Sequence, residues 1–409
     1  MAVMSVASRR IMSLVTVLLL LCSTSVFSVP TPGGSNGGTT SKPFGTCSKI
    51  YTRKEWRRLT LVERAAFLFS VNVLLAKPGI TPRSIVAGAK SRYDDLVATH
   101  INQTFSIHYV GHFLPFHRYY TWTFEKMLRD ETFYDGPFPY WDWHLDVGAG
   151  KTQNDFFKSD IWDPILGFGG NGDFLPVPPE QAGFAVPGRT GGGCVKNGAF
   201  VNMKVNLGPG ADLVGTPRCL ARDFSPYFSG RYLAQNQTKV SLAAQNFYAF
   251  DRVVEGGPSF EASGIHGGGH YGIGGTLGTM GDLYVSPGDP SFWLHHANLD
   301  RVWWSWQKLN YPARLTDMGG PSCIMDYYDA NKSPPQACAN ITLSQPMNLG
   351  FADKIKPFVG VTVKDVMNIF DMCYDYEFLL DANGNNIDCS SGSCRPLNSW
   401  EYPGPTKIW

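Results

Sequence analysis

Histidine is the residue type whose spacing in this sequence first indicates chemistry. The chain has 409 residues and nine histidines, and eight of these fall into two groups that are far apart in sequence. The groups are His100, His108, His112 and His117, and then His266, His270, His295 and His296. Imidazole nitrogens bind copper, zinc, iron and nickel, and affinity among divalent first-row ions is highest for copper. The pattern therefore predicts two metal ions, each held by at least three imidazoles.

Helical spacing separates ligands from neighbours in the second group. His266 and His270 are four residues apart and would share one face of a helix, although the glycines around them are poor helix formers. His295 and His296 are adjacent, so they project about 100° apart on a helix and one of them can reach a buried metal. His296 is in phase with the apolar face that contains Phe292, whereas His295 is not. We assign His296 as a ligand and His295 as its neighbour.

Helix signals lie around both groups. Thr60 and Glu63 have the spacing of a capping box and open an apolar stretch that Pro78 closes. A second predicted helix carries His100 at the end of its apolar face, and a third has Pro115 in its first turn. A fourth is predicted to start with Asp289 as its N-cap and Pro290 as its first helical residue. The region 165–215 is rich in Gly and Pro and indicates irregular loop.

The N-terminus predicts export. A basic pair precedes the apolar run 11–22, and Val26 and Ser28 occupy the −3 and −1 places of a cleavage site. A helix that spans a membrane needs about 20 apolar residues, and this run is shorter. We therefore interpret residues 1–28 as a signal peptide rather than as a membrane anchor. The Gly/Thr/Ser-rich segment 29–46 is typical of a flexible linker. We predict a secreted, extracellular protein.

The cysteine count agrees with export. Cleavage would remove Cys22 and leave eight cysteines, an even number that indicates disulfides, and none has the CxxC spacing of a zinc or redox site. Pairing by proximity in sequence would join Cys194–Cys219, Cys323–Cys338, Cys389–Cys394 and, across the chain, Cys47–Cys373; other pairings remain open. Four glycosylation sequons lie at Asn102, Asn236, Asn331 and Asn340.

Charge and composition exclude some classes of protein. The chain has 35 Lys and Arg against 34 Asp and Glu, which leaves no electrostatic footprint for nucleic acid or an anionic membrane surface. With 43% hydrophobic residues a large core is possible. Because the histidines come from both halves, we predict one catalytic domain over residues 47–376 and a short tail with a disulfide over residues 377–409.

Both histidine segments resemble the two copper-binding signatures of tyrosinases and related polyphenol oxidases. The first contains HYVGHFLPFHR from His108 and ends at Glu125, and the second runs from Asp289 to Asp300. In the second signature the ligand lies four residues before the Asp, which agrees with the assignment of His296. The sequences PYWDW at 139–143 and YDY at 374–376 also resemble motifs of this family.

The resemblance implies a type 3 centre of two copper ions in a mainly α fold. An antiparallel four-helix bundle would hold the centre, with long Gly/Pro-rich loops and few short strands. The implied ligands are His100, His108 and His117 for one ion and His266, His270 and His296 for the other. His112 falls in the variable spacer of the first signature and is a neighbour. Ser106 stands where many members carry a cysteine linked to a ligand, so no such crosslink is expected.

Other roles also follow from the resemblance. Glu255 resembles the glutamate that holds an active-site water and serves as a base, and Val285 resembles the residue that gates the entrance near the first copper. Asp300 would anchor loops or Arg side chains, or else form an ion pair within its helix. Gly267 stands where efficient tyrosinases often carry Asn, and Tyr271 follows the second ligand. The tail is too short for the shielding domain of latent members, so an open site is expected.

These features predict an oxidase with O2 and small phenols as its substrates. It would oxidise o-diphenols to o-quinones and hydroxylate monophenols more weakly, as a monomer or weak oligomer that binds neither nucleic acid nor membrane. The alternatives are a full tyrosinase, an o-aminophenol oxidase, a haemocyanin-like O2 carrier, and a secreted protein whose histidines bind zinc or nothing.

Overall fold

The computed structural model describes residues 44, 46–148, 150–257, 259–324, 338–351, 360–389 and 394. The predicted signal peptide and nearly all of the predicted linker lie outside these residues. The described part is mainly helical, as predicted. Its longer helices are α1 (Leu61–Ala76), α2 (Arg92–Ile107), α3 (Phe113–Thr132), α4 (Pro226–Tyr232), α5 (Gln235–Leu242), α6 (Phe247–Glu255), α7 (Ile265–Gly274) and α8 (Ser291–Leu309). Single turns of α-helix lie at His144–Val147, Gln153–Phe157 and Val363–Val366.

The helix starts follow the local signals. The capping box at α1 forms, since the backbone N of Glu63 donates to Thr60 Oγ1 at 3.2 Å and Thr60 N donates to Glu63 Oε2 at 2.7 Å. Helix α8 begins one residue later than predicted, at Ser291. Pro290 rather than Asp289 is the N-cap residue, but Asp289 Oδ1 accepts a hydrogen bond from the backbone N of Ser291 at 3.0 Å.

Close packing explains why the glycine-rich segment 265–274 is helical. A Cβ on Gly269 would lie 2.1 Å from Cε1 of the His295 ring, and one on Gly272 would lie 1.9 Å from Ser229 Oγ. Both distances are shorter than any van der Waals contact, so a side chain at either position would push α7 away from α8 or α4. Tertiary packing therefore outweighs the poor helix propensity of these glycines.

The strands are short. Strand β1 (Tyr51–Glu55) lies between β2 (Pro139–Tyr140) and β5 (Tyr374–Tyr376) and is parallel to both, with Tyr51 opposite Tyr374. Two antiparallel pairs complete the described sheets, namely β3 (Lys204–Val205) with β4 (Arg218–Cys219) and β6 (Phe378–Leu380) with β7 (Asn386–Asp388). The first part of the predicted tail thus forms the pair β6–β7, whose Leu379 and Leu380 are buried in the main core.

The disulfides follow the predicted pairing. They join Cys194–Cys219, Cys323–Cys338, Cys389–Cys394 and Cys47–Cys373. The last of these holds the residues before β1 beside the residue before β5, across a sequence separation of 326 residues.

Helix α8 forms the centre of the main core. Its tryptophans Trp293, Trp303, Trp304 and Trp306 are completely buried, and every residue from Ser291 to Gln307 is buried. A helix that is buried on all sides must be covered by other elements, here chiefly α3, β2 and β6. In the part of the chain that the structure describes, no helix has the length and apolar character needed to cross a membrane.

Candidate metal centre

The first predicted triad comes together where α2 ends and α3 begins. His100 lies on α2, His108 follows its last residue and His117 lies on α3, and a ring nitrogen of each is within 4.8 Å of the others. Each Nδ1 lies 2.8 Å from a backbone carbonyl, those of Tyr284, Thr104 and Phe113 respectively. A carbonyl oxygen can only accept a hydrogen bond, so Nδ1 carries the proton and donates it to this bond, while Nε2 keeps the lone pair that a metal needs.

The second predicted triad joins α7 to α8. His266 and His270 lie on α7 and His296 on α8, again with donor nitrogens within 4.8 Å. The Nε2 atoms of His270 and His296 are 3.1 Å apart, a spacing that suits two ligands of one ion at bond lengths of about 2.0–2.1 Å. The Nδ1 of His270 lies 3.0 Å from the carbonyl of Met280, which fixes this ring as it fixes those of the first triad.

The two triads share one buried site. The rings of His117 and His296 stack with centroids 4.7 Å apart, and those of His108 and His266 stack at 5.9 Å. All six imidazoles are buried. The Nε2 atoms of His100, His117 and His266 have no hydrogen-bond partner within the described part of the chain. Buried nitrogens without partners are unfavourable unless something binds them, so a pair of metal ions fits this donor set.

Burial keeps the imidazoles neutral. It lowers the pKa of His108 and of His270 to about 4. It lowers the pKa of the other four ligand histidines further, with repulsion between neighbouring imidazoles as the second cause. A neutral imidazole is the form that binds a metal, so the triads do not have to lose protons at neutral pH.

The remaining histidines of the two groups lie beside the triads. His295 is completely buried and its Nε2 lies 3.0 Å from the backbone carbonyl of His266, so it positions the helix turn that carries a ligand. His112 is the N-cap residue of α3 and belongs to neither triad.

Asp300 connects α8 to three other elements. Its carboxylate accepts from Arg53 Nη1 at 3.1 Å, from Arg118 Nε, and from the hydroxyls of Tyr374 and Tyr376, each at 2.6 Å. Burial alone would raise its pKa, but the two arginines hold that pKa below its usual value. The structure therefore places Asp300 as an anchor between elements, with no arginine of its own helix among these partners.

A pocket of about 420 Å³ opens onto the triads. Three triad histidines, His108, His266 and His270, form its inner wall. Its other walls include Tyr109, Glu255, Gly267, Tyr271, Leu283 and Ser286. Val285 is completely buried and packs against Gly208, and it is not among the described residues that line this pocket.

Glu255 is held from two directions. The backbone N of Tyr109 donates to Oε1 at 2.6 Å, and Arg252 Nη2 donates to Oε2 at 2.5 Å. Burial raises the pKa of Glu255 to about 8; the charge of Arg252 opposes this rise, and the charge of Asp251 adds to it. Tyr109 has a left-handed backbone with φ of 56° and directly follows the ligand His108. The carboxyl therefore fixes the loop of the first triad as well as lining the pocket.

Spacing along the sequence did not indicate Tyr109 or Arg252 as site residues. Arg252 had a usable signal, because it lies three residues before Glu255 on one helix, a spacing at which opposite charges meet. Tyr109 had none, since its partner is 146 residues away.

Comparison with known proteins agrees with this geometry. The family profile for the common central domain of tyrosinase matches residues 90–309, which include all six predicted ligands. The chain belongs to the tyrosinase family, whose members carry a type 3 dicopper centre.

The relatives of this chain include several fungal proteins. Tyrosinase P of Aspergillus terreus is 30% identical over 336 residues, with 77% of this chain and 89% of that protein covered. The N-acetyl-6-hydroxytryptophan oxidase ivoB of Emericella nidulans is 32% identical over 360 residues, with 80% and 92% covered. Among solved structures, a polyphenol oxidase mutant from Thermothelomyces thermophila aligns with a TM-score of 0.68 and 37% identity over 80% of this chain and 88% of that chain. Family membership and these relatives identify the protein as a tyrosinase-family oxidoreductase.

Proposed function

We propose that this protein is a secreted, copper-dependent catechol oxidase that uses O2 to convert o-diphenols into o-quinones. The single observation that supports this most is the pair of facing, buried imidazole triads beneath a pocket of about 420 Å³. We propose a copper ion on His100, His108 and His117 and another on His266, His270 and His296.

Bound copper would supply the redox chemistry, in which two catechols lose four electrons and four protons while one O2 becomes two waters. The protein's own contribution is to position the substrate and move protons. The carbonyls that accept from the Nδ1 atoms keep the ligand rings in one tautomer. Phe292 stacks on the ring of His296 at 4.0 Å and excludes water from that side.

Glu255 is the proposed base. Each of its oxygens accepts one hydrogen bond and keeps a second lone pair, so the carboxylate can still take the proton of a phenol hydroxyl, directly or through a water. Its raised pKa makes the ionised form a stronger base than an exposed glutamate, and the fraction in that form increases as pH rises toward about 8. Replacement by Gln keeps the size of the side chain, so we expect Glu255→Gln to lower kcat by about 10²-fold or more with copper content retained. A normal kcat in this variant would show that the glutamate only holds the loop at Tyr109.

The residue at position 267 supports a preference for diphenols. Glycine there adds no polar group beside Glu255, so a monophenol, whose hydroxyl is harder to deprotonate, receives less help. Val285 is completely buried and does not line the pocket, so it is not placed to gate the entrance by contact with substrate. We propose instead that it shapes the entrance near the first copper by holding the segment that carries Leu283 and Ser286 in place.

Oxygen uptake and quinone absorbance on copper-loaded protein test the proposal. We expect rapid oxidation of 4-methylcatechol and much slower conversion of 4-methylphenol. A faster steady rate on the monophenol would favour a full tyrosinase, and a faster rate on 2-amino-4-methylphenol would favour an o-aminophenol oxidase. Reversible O2 binding without turnover would favour a carrier. Fewer than two coppers per chain after reconstitution would contradict the proposed centre.

Two variants of adjacent histidines provide the matched control. His296→Ala removes a proposed ligand and should lose the copper of the second triad. His295→Ala removes a neighbour whose Nε2 lies 3.0 Å from the His266 carbonyl, so it should keep most of the copper. Equal loss in both variants would contradict the assignment.

Export is part of the proposal. The side chains of Asn102, Asn236 and Asn340 are exposed, which supports glycan attachment, whereas Asn331 lies outside the described residues. The four disulfides suit an oxidising compartment. Expression through a secretory host should give a chain that begins near Val29 and loses mass on deglycosylation, and retention of residues 1–28 would contradict the signal peptide.

A further inference from the structure

A second, larger space adjoins the pocket above the triads. It has a volume of about 1380 Å³, and its walls include Phe184, Val186, Phe260, Glu261 and Tyr271. We call this space the outer groove. Tyr271 and Gly281 line both the outer groove and the inner pocket, so the two spaces adjoin at these residues. A substituent on a phenol ring in the inner pocket would pass these two residues to reach the groove.

The floor of the outer groove is an apolar cluster separate from the main core. Val186, Phe228 and Tyr232 are buried there, and Phe260 and Tyr271 pack against them. The rings of Phe260 and Tyr271 meet edge to face with centroids 5.1 Å apart, and the Phe228 ring lies 5.6 Å from that of Tyr271. This cluster fixes an aromatic surface directly beside a proposed metal ligand, His270.

The rim of the groove is also aromatic. The side chain of Phe184 is 73% exposed although it is large and apolar. An exposed apolar side chain beside an apolar floor gains free energy when a ligand covers it, because the covered area leaves water. Rings on both the floor and the rim suit a flat or bulky apolar substituent.

One carboxylate sets the charge of the groove. Glu261 is exposed, and among the described residues that line the groove it is the single acid, with no lysine or arginine beside it. A substituent that ends in an amine is therefore attracted, and one that ends in a carboxylate is repelled. Because Glu261 is exposed, solvent and salt screen this effect to a few-fold.

We propose that the outer groove is a subsite for an apolar, preferably aromatic, substituent on carbon 4 of a catechol, and that it prefers neutral or amine-bearing substituents to carboxylates. The substrate class would then be extended diphenols with a second ring rather than simple catechols. This proposal rests on the proposed catechol oxidase function, since it uses the inner pocket as the place of the reacting ring.

Kinetics with a matched pair of substrates test the subsite. The pair 4-methylcatechol and 4-benzylcatechol differs by one ring and has similar electronic properties at the reacting hydroxyls. We expect kcat/KM to favour the benzyl compound by about tenfold, since even one methylene in an apolar pocket gives about tenfold or more. Phe184→Ala and Phe260→Ala should each reduce the ratio toward about threefold or less. Phe69→Ala, an exposed phenylalanine on α1 (62% exposed), is the control that should leave it unchanged.

A binding measurement separates the groove from the chemistry. The compound 4-benzylresorcinol has no adjacent pair of hydroxyls, so in the absence of O2 its Kd relative to that of 4-methylresorcinol reports the groove without turnover. The ratio of Kd values should fall in the two groove variants as the kinetic ratio does. Failure of 4-methylcatechol to react would contradict the catechol oxidase function alone. Equal Kd values for the two resorcinols in the wild type would overturn the subsite whatever the activity.

The charge preference has its own test. At low ionic strength the wild type should favour 4-(2-aminoethyl)catechol over 3,4-dihydroxyphenylacetate by a few-fold in kcat/KM. Glu261→Gln should remove most of this preference while leaving the ratio of benzyl to methyl substrates in place. A preference for the carboxylate in the wild type would overturn the assigned role of Glu261.

Discussion

Replacing Gly269 by alanine tests how tightly α7 packs against α8 at the second triad. The added Cβ would lie 2.1 to 2.5 Å from three atoms of the His295 ring. Carbon atoms in contact are normally about 3.5–4.0 Å apart, so the ring or the helix would have to move by more than 1 Å. The ring is completely buried beside Trp143, so it has no solvent into which to move.

The expected free energy follows from two opposing effects. Overpacking of a buried site lowers the free energy of unfolding by about 1–3 kcal/mol, and the clash here is severe enough to place it at the upper end. Alanine in place of glycine in a helix favours folding by about 1 kcal/mol. We therefore expect Gly269→Ala to lower the free energy of unfolding by about 2 kcal/mol. Displacement of α7 would also move His266 and His270, so copper binding at the second triad should weaken.

Urea unfolding of the copper-free and copper-loaded protein measures this change, and Gly230→Ala is the matched control. Gly230 lies in α4, and a Cβ there would meet nothing within 4 Å. That variant should be more stable by about 0.5–1 kcal/mol. The double variant Gly269→Ala/His295→Ala removes the clashing ring, so in this background Gly269→Ala should become neutral or stabilising. The same destabilisation in both backgrounds, or none in either, would refute the packing argument.

Three further predictions concern stability. Asp300→Asn should lower the free energy of unfolding by about 3–5 kcal/mol in chemical denaturation, because it leaves two buried arginines without their shared carboxylate. The control Asp135→Asn, at an exposed ion pair, should change the free energy of unfolding by less than about 1 kcal/mol. Burial raises the pKa of Glu55 from 4.5 to about 7, so between these pH values the folded state holds a proton that the unfolded state releases, and stability falls as pH rises. Glu55→Gln should reduce this slope, by at most about 1.4 kcal/mol per pH unit in thermal unfolding. An unchanged slope would count against the raised pKa of Glu55. The double variant Cys47→Ser/Cys373→Ser opens the longest disulfide loop and should lower the free energy of unfolding by about 2–5 kcal/mol. A Tm equal to that of the wild type in thermal unfolding would contradict this.

Local spacing was sufficient to predict the two histidine groups and to select His296, whereas the selection of three histidines from the first group rested on the family resemblance. Each group lies within a short stretch of sequence, and helical phase distinguishes His296 from His295 without knowledge of the fold. The same local rules indicated a helix over residues 265–274 only weakly, because helix propensity counts glycine as unfavourable in any helix. The structure shows why that rule fails here: the missing side chain at Gly269 is what allows α7 to approach His295.

Contacts between distant parts of the chain were beyond such rules. Glu255 was selected by its resemblance to a family position, but the hydrogen bond from Tyr109 depends on how α6 meets the end of α2. The outer groove was hidden for a different reason. Phe184 lies in the Gly/Pro-rich region 165–215, which has no periodic pattern that could relate it to Phe260 or Tyr271.

The position of β1 in its sheet has a consequence for the order of events during synthesis. A ribosome releases the N-terminal part of a chain first, so Tyr51 and Cys47 emerge long before their partners Tyr374 and Cys373. The hydroxyls of Tyr374 and Tyr376 that hold Asp300 arrive equally late. All six triad histidines are thus translated before the segment that fixes α8 in place. During this interval the nascent chain must keep Cys47 from pairing with the cysteines that emerge before Cys373. The metal centre takes its final form on the finished chain.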